Sequence, residues 1–282
     1  MTAAVLSGTE LAASIRAEAA ARAAELAALG RRPRLCVVTA TADESSAWYV
    51  RSIVRAAEKT GLECAVHDLG ADADPAAISA LLAELSADPA VHGLMLQTPL
   101  PAGTTLEELA SAIAFEKDVD GANPLSLGRL ASGLPAFPPA TAEAVVALLD
   151  HHKVQLSGRQ AVVVGRSTVV GKPAAHLLLD RDATVTVCHS RTADLATVTT
   201  TAEVLVAAVG RAGLITAEHV RPGAVVIDVG TNPTPEGGLV GDVAPEAAER
   251  AGALTPVPGG VGPVTTALLL RHTVLAAERA GA

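Results

Sequence analysis

The chain is 282 residues long, enough for two ordinary domains each burying its own core, and it carries a net charge of −9. With no basic run, that balance argues against a nucleic-acid or anionic-membrane surface as the main partner and makes small molecules the expected ligands. Half of the residues are hydrophobic, yet the aromatics number one Trp, one Tyr and two Phe, so the cores are built from many small aliphatic contacts.

The N-terminal stretch lacks a basic start and Glu10 interrupts its apolar residues early, which is not the pattern of a secretory leader. It reads as an Ala-rich amphipathic helix closed by Gly30. The β-branched run RLCVVTA (34–40) follows, then a helical pattern from Ser45 to Gly61, then ECAVHDL, DPAAISALLAELSAD and VHGLMLQ. Strand, helix, strand, helix, strand predicts a parallel sheet with crossover helices.

Pro and Gly then become dense, periodicity fails from QTPLPAGTT to GLPAFPP, and a domain boundary is expected there. TAEAVVALLDHH reads as a connecting helix, after which RQAVVVG, GKPAAHLLLD, ATVTVCHS, EVLVAAVG and AVVIDVG restart the alternation. The predicted class is α/β with two Rossmann-like open-sheet domains, residues 1–140 and 141–263, and a last helix, 264–282, expected to pack back on the first. No apolar run approaches the roughly 20 residues of a spanning helix. Cys36, Cys64 and Cys188 are widely spaced and form no CxxC, so neither a disulfide framework nor a metal site is expected, and a reducing cytoplasm fits.

The strand AVVVG (161–165) runs into Gly165-Arg166-Ser167-Thr168-Val169-Val170-Gly171-Lys172-Pro173 and a helix. Glycines at such a turn let backbone amides approach a pyrophosphate, which the helix N-terminus attracts. The spacing is looser than GxGxxG, and by itself such a turn is as often mere turn chemistry. The next strand ends in His189-Ser190-Arg191, with no acidic residue for a free ribose 2′-hydroxyl; Ser190, Arg191 and Arg166 suit a 2′-phosphate, which selects NADP over NAD. GRSTV is not a nucleophile elbow, because Val169 takes the place of the second glycine. DVDGANP places its glycine fourth, where a calcium loop requires it sixth.

Three more loops stand out: Gln97-Thr98-Pro99-Leu100-Pro101, Lys117-Asp118-Val119-Asp120-Gly121, and Pro256 to Pro263. Read singly, each is a rigid turn. In order along the chain, SSAWYV, QTPLP, KDVDG, GRSTVVGKP, IDVGTN, GDV (241–243) and TPVPGGVGPVT make it similar, nearly end to end, to the methylenetetrahydrofolate dehydrogenase/cyclohydrolase family. The resemblance implies an N-terminal folate domain, a C-terminal NADP domain, a cleft flanked by both, and a homodimer. It implies that Tyr49, Gln97 and Asp120 are the catalytic residues around the pterin and the reacting one-carbon unit, in a substrate pocket that also takes in Ile53, Pro258, Gly259 and Gly260. It further implies NADP contacts from Gly165, Arg166, Ser167, Ser190 and Thr231, which Arg191 joins from the strand-end argument.

Members of that family typically carry a lysine four residues after the tyrosine, on the same helix face, and this chain has Ile53 there. Arg51 and Arg55 point elsewhere and stay protonated, and Lys59 is about 9 Å further along the axis. Opening a methenyl ring requires water attack and a proton transfer suited to such an amine, whereas hydride transfer requires mainly positioning. The expected activity is therefore NADP-dependent oxidation of 5,10-methylenetetrahydrofolate to the methenyl form with weak or absent cyclohydrolase. Full bifunctionality and a non-catalytic or altered-substrate paralogue are the alternatives. Ala122, Asn123 and Ser126 after KDVDG, and Pro139-Ala140-Thr141-Ala142 in place of a PCTP element, also depart from the family and imply a loosened pocket.

Overall fold

A computed structural model describes residues 3–281, which form two compact units. Strand β1 (Ala4–Val5) and the start of helix α1 (Thr9–Ala28) group with Thr141–Thr265; the chain from Ala13 to Ala140, together with the part beginning at Thr266, forms the other.

In the unit that begins at Ala13, β2 (Arg34–Thr39), α2 (Glu44–Thr60), β3 (Glu63–Asp68), α3 (Pro75–Ala87) and β4 (Gly93–Leu96) alternate as the hydrophobic periods predict. The strands pair in parallel in the order β3-β2-β4, and β2 is central and buried from Leu35 to Thr39. The start of α2 is fixed by Asp43, whose carboxylate accepts the Ser46 N–H at 2.7 Å, and its end by Gly61 at φ 81°, a left-handed cap that glycine adopts without steric cost. The loop-rich middle contains two short helices that periodicity did not disclose, α4 (Leu106–Ala110) and α5 (Pro124–Ala131). Both rest on local caps: Thr105 and Glu108 close a capping box, and Asn123 accepts the Leu125 N–H ahead of Pro124.

The other unit continues with α6 (Ala140–His151), β5 (Gln160–Val164), α7 (Gly171–Leu179), β6 (Thr184–Cys188), α8 (Leu195–Thr199), β7 (Val204–Ala207) and β8 (Val225–Asp228). A two-residue hairpin, β9 (Asn232–Pro233) and β10 (Leu239–Val240), precedes β11 (Ala253–Leu254) and the terminal α9 (Val261–Ala280). Its main sheet is parallel throughout, in the order β1-β11-β8-β7-β5-β6. The chain goes from β5 outward to β6 and then back to β7 on the other side of β5, so the carboxyl ends of β5 and β7 form a topological switch point.

The division differs at one place from a first domain of residues 1–140. Residues up to Ala12 belong with the second half, because β1 adds itself in parallel to the edge of β11 and Leu6 N–H donates to Leu254. Two residues of edge pairing leave almost no periodic signal in a sequence. Beyond its first turn, from Thr266, α9 groups with the unit that begins at Ala13.

Candidate active site

The buried stripe of α2 is Ser46, Val50, Ile53, Ala57 and Thr60, a 4-3-4-3 spacing that turns one side of the helix to the core. Ile53 is fully buried on it. Tyr49 lies next to that stripe and is half-buried. Its hydroxyl hydrogen-bonds the Thr266 side chain, and burial, then the neighbouring Asp120 charge, push the phenol well above its ordinary pKa. Tyr49 therefore stays protonated at any working pH and acts as a hydrogen-bond donor.

Asp120 is half-buried beside Tyr49 and accepts the Ala140 N–H. Burial raises its pKa to about 7, with the Asp118 charge adding to the rise and His272 and the Ala140 N–H opposing it. Asp118 is fully buried and accepts the Ala122 N–H at 2.9 Å, the Asn123 N–H at 2.9 Å and the Ser126 hydroxyl at 2.6 Å. A parallel bridge to Leu94 ties Asp118 to β4, and His272 on α9 holds the Val119 carbonyl at 2.8 Å from its Nδ1. Gly121 has φ 62°, and a Cβ there would meet Pro139 N at 2.4 Å, so the turn after Asp120 accepts only glycine. Asn123 and Ser126 thus do not loosen the pocket as the sequence implied. They are tied up in fixing the loop that carries Asp120, and Asn123 also donates to the Ile113 carbonyl at 2.7 Å.

Gln97 follows β4 and is 8% exposed. Its Nε2 donates to the Thr98 carbonyl at 2.6 Å, which fixes which end of the amide is which, and its Oε1 is buried with no partner among the described residues. A buried acceptor left open costs free energy unless a ligand donor completes it. Ser46 Oγ, at 2.8 Å from the same carbonyl, holds the loop to α2.

No amine reaches this group from its own unit. The two lysines there are Lys59, exposed at the far end of α2, and Lys117, whose Nζ donates to the Asp88 carbonyl at 2.6 Å.

Pro258, Gly259 and Gly260 lie in the other unit, where the Gly259 carbonyl accepts the Gly8 N–H at 2.8 Å and a Cβ on Gly8 would meet the Gly260 oxygen at 2.1 Å. The predicted cofactor residues follow the carboxyl ends of neighbouring strands: Gly165, Arg166 and Ser167 after β5, Ser190 and Arg191 after β6, Thr231 after β8. Gly165 has φ 133°, and a Cβ on it would sit 2.1 Å from the Ala208 oxygen, so the switch-point turn can close only on glycine. Ser167 Oγ accepts the Val170 and Gly171 N–H groups at 3.2 and 3.3 Å and starts α7. Arg166, Ser190, Arg191 and Thr231 are exposed along this edge, a donor set that fits a dinucleotide carrying a 2′-phosphate.

Two residues without a predicted role organise the same edge. Asp228 accepts from Gly230, Asp242 and Val243 N–H groups at 2.9, 2.9 and 3.0 Å, while burial pushes its pKa up to about 6. Asp242, fully buried, accepts from Val209, Gly210 and Arg211 N–H groups at 2.6, 3.0 and 2.8 Å and from Asn232 Nδ2 at 3.0 Å. Two carboxylates thereby clamp the loops after β7 and β8. The signal available for them was an acidic residue ending an apolar strand, IDVG, and another after a hairpin, GDV.

Residues 6–120 match the model of the tetrahydrofolate dehydrogenase/cyclohydrolase catalytic domain, and residues 139–281 that of the NAD(P)-binding domain of the same enzymes. The chain belongs to the tetrahydrofolate dehydrogenase/cyclohydrolase family. It is 69% identical to bifunctional protein FolD 1 of Saccharopolyspora erythraea over 97% of this chain and 94% of that protein. It is 64% identical to bifunctional protein FolD 1 of Rhodococcus jostii, over 96% and 92%. Among solved structures, a Trypanosoma brucei methylenetetrahydrofolate dehydrogenase-cyclohydrolase complexed with NADP and an inhibitor superposes with a TM-score of 0.93 at 37% identity, covering 99% of this chain and 98% of that one. Family membership makes the protein an enzyme whose C-terminal half is an NAD(P)-binding domain, and the expected class of two open α/β units is the class found.

Proposed function

We propose that the protein is an NADP-dependent enzyme that oxidises 5,10-methylenetetrahydrofolate to the methenyl form and also opens the methenyl ring to the 10-formyl product. The observation that carries this reading is the Tyr49–Asp120 pair, a phenol kept protonated and a carboxyl whose pKa is about 7, in the same unit as Gln97, whose Oε1 is an open acceptor among the described residues. The nicotinamide ring, when bound, accepts the hydride. In that step no proton leaves the substrate, and Tyr49 and Gln97 serve to orient the folate. In the second step water adds to the cationic one-carbon centre and gives up a proton, which Asp120 is poised to accept near neutrality. The bond from that carbon to N5 then breaks as the remaining hydroxyl proton passes to N5, leaving the formyl group on N10 and one proton released overall. That proton carrier, and relatives named as bifunctional, support two activities over the expectation of a dehydrogenase alone.

Dehydrogenase-only activity is the second reading, favoured by the fully buried Ile53 and by the absence of an amine from the unit's described site groups. One preparation assayed for both reactions separates them. Hydrolysis of methenyltetrahydrofolate at a rate comparable with NADPH formation supports the first; NADPH formation without hydrolysis, together with gain of hydrolysis in Ile53→Lys, supports the second. A homodimer in a reducing cytoplasm completes the proposal, supported by the family likeness and by three free cysteines. Among the described residues no helix is long and apolar enough to cross a membrane.

A further inference from the structure

A groove of about 730 Å³ runs between α1 and α2, on the stripe of α2 next to the one that carries Tyr49. Four cations line it, Arg16 from α1 and Arg51, Arg55 and Lys59 from α2, and no carboxylate does. In a chain of net charge −9 that concentration of one sign is a local reversal. None of the four is ion-paired among the described residues, whereas Arg22, Arg34, Arg159 and Arg181 all are. Ala17 and Ala20 on the α1 wall leave the space open, and Trp48, the protein's one tryptophan, stands 57% exposed at the end nearest Tyr49. A neighbouring hollow of about 490 Å³ on the other side of Arg51 and Arg55 includes Glu58 and Asp68 and has no such bias.

We propose that this groove binds the γ-linked polyglutamyl tail of the folate substrate, an inference that rests on the folate reading of the Tyr49 site. A folate tail is a flexible chain with one carboxylate per unit, and it leaves the pterin through an aromatic ring that an exposed indole can stack on. From Trp48 to Lys59 the helix rises about 16 Å at 1.5 Å per residue. A γ-linked unit has five main-chain bonds where an ordinary residue has three, so it spans roughly 6 Å against the usual ~3.6 Å, and the groove takes two or three units. Arg51, Arg55 and Lys59 then meet successive carboxylates along the helix.

The KM for 5,10-methylenetetrahydrofolate is measured with one, three and five glutamates. It is expected to fall roughly two- to five-fold for each unit that gains an exposed cation, with the gain shrinking in high salt. In the double variant Arg55→Glu, Lys59→Glu the ratio of the monoglutamate and pentaglutamate KM values goes to about one, with Arg55→Gln, Lys59→Gln intermediate. A KM independent of chain length in the parent protein, or a dependence unchanged in the charge-reversed variant, overturns the proposal. Trp48 fluorescence titrated with free penta-γ-glutamate gives a readout without turnover: a saturable change lost in the charge-reversed variant supports the groove even if no folate is oxidised, an outcome that sinks the proposed function instead. An equal response to inorganic tripolyphosphate at the same concentration marks a general anion sink and also overturns the tail assignment.

Discussion

The group around Tyr49 and the turn after β5 are built from different material. Around Tyr49 the acting groups are side chains whose protonation is set by burial: a phenol kept neutral, a carboxyl brought to about 7 by desolvation and by Asp118. At the β5 turn the acting geometry is backbone. Gly165 and Gly171 lie so close to the Ala208 and Gly165 carbonyls that no Cβ fits, and the charged and hydroxyl groups at that edge are exposed. The first site can be retuned by changing single side chains; the second tolerates change only where side chains leave the turn.

The largest expected effect tests the side-chain half. Asp120→Asn lowers methenyl hydrolysis by at least about a hundredfold, the usual share of a general base, while hydride transfer falls by far less. Equal losses in both reactions would make Asp120 a substrate-binding group rather than a proton carrier. Next comes the backbone half: Gly165→Ala places a Cβ 2.1 Å from the Ala208 oxygen at φ 133° and is expected to lower the melting temperature by at least about 4 °C, with loss of NADP binding. A variant with parental stability and cofactor affinity would show that the turn relaxes and that its glycine is dispensable. Arg191→Ala should raise the KM for NADP roughly tenfold and leave that for NAD alone, since one charge-assisted hydrogen bond to a 2′-phosphate is lost.

The smallest effects concern pH. As a base Asp120 works ionised, so hydrolysis should rise with pH through a limb near 7. Asp118→Asn removes a neighbouring negative charge and should move that limb to lower pH. Stability runs the opposite way. Between the ordinary carboxylate range and pH 7 the folded protein keeps a proton on Asp120 that the unfolded chain has released, so this group favours the fold at low pH and the contribution is lost as pH rises through 7. Asp120→Asn should flatten that part of the stability curve measured by urea unfolding.

Much of this was legible before any fold was in hand. Period-two and period-3.6 patterns marked both open sheets, and the glycine turn after AVVVG marked the dinucleotide edge. Short helices in the Pro-rich middle were not, because five to eight residues give too little periodicity and their caps are local. Asp118, Asp228 and Asp242 escaped for another reason: a carboxylate buried to clamp backbone N–H groups looks, in a sequence, like any solvated acid.

By itself the sequence determined the alternation of strands and helices, the two-part organisation, the cofactor class and the family, since each is written in local spacing or in ordered motifs. Only the tertiary structure decided that Asn123 and Ser126 brace the Asp120 loop, that β1 joins the second half, that Gln97 leaves an acceptor open, and that four cations from two helices share one groove. Burial and the proximity of residues distant in the chain set those outcomes, and neither is a property of any one stretch of sequence.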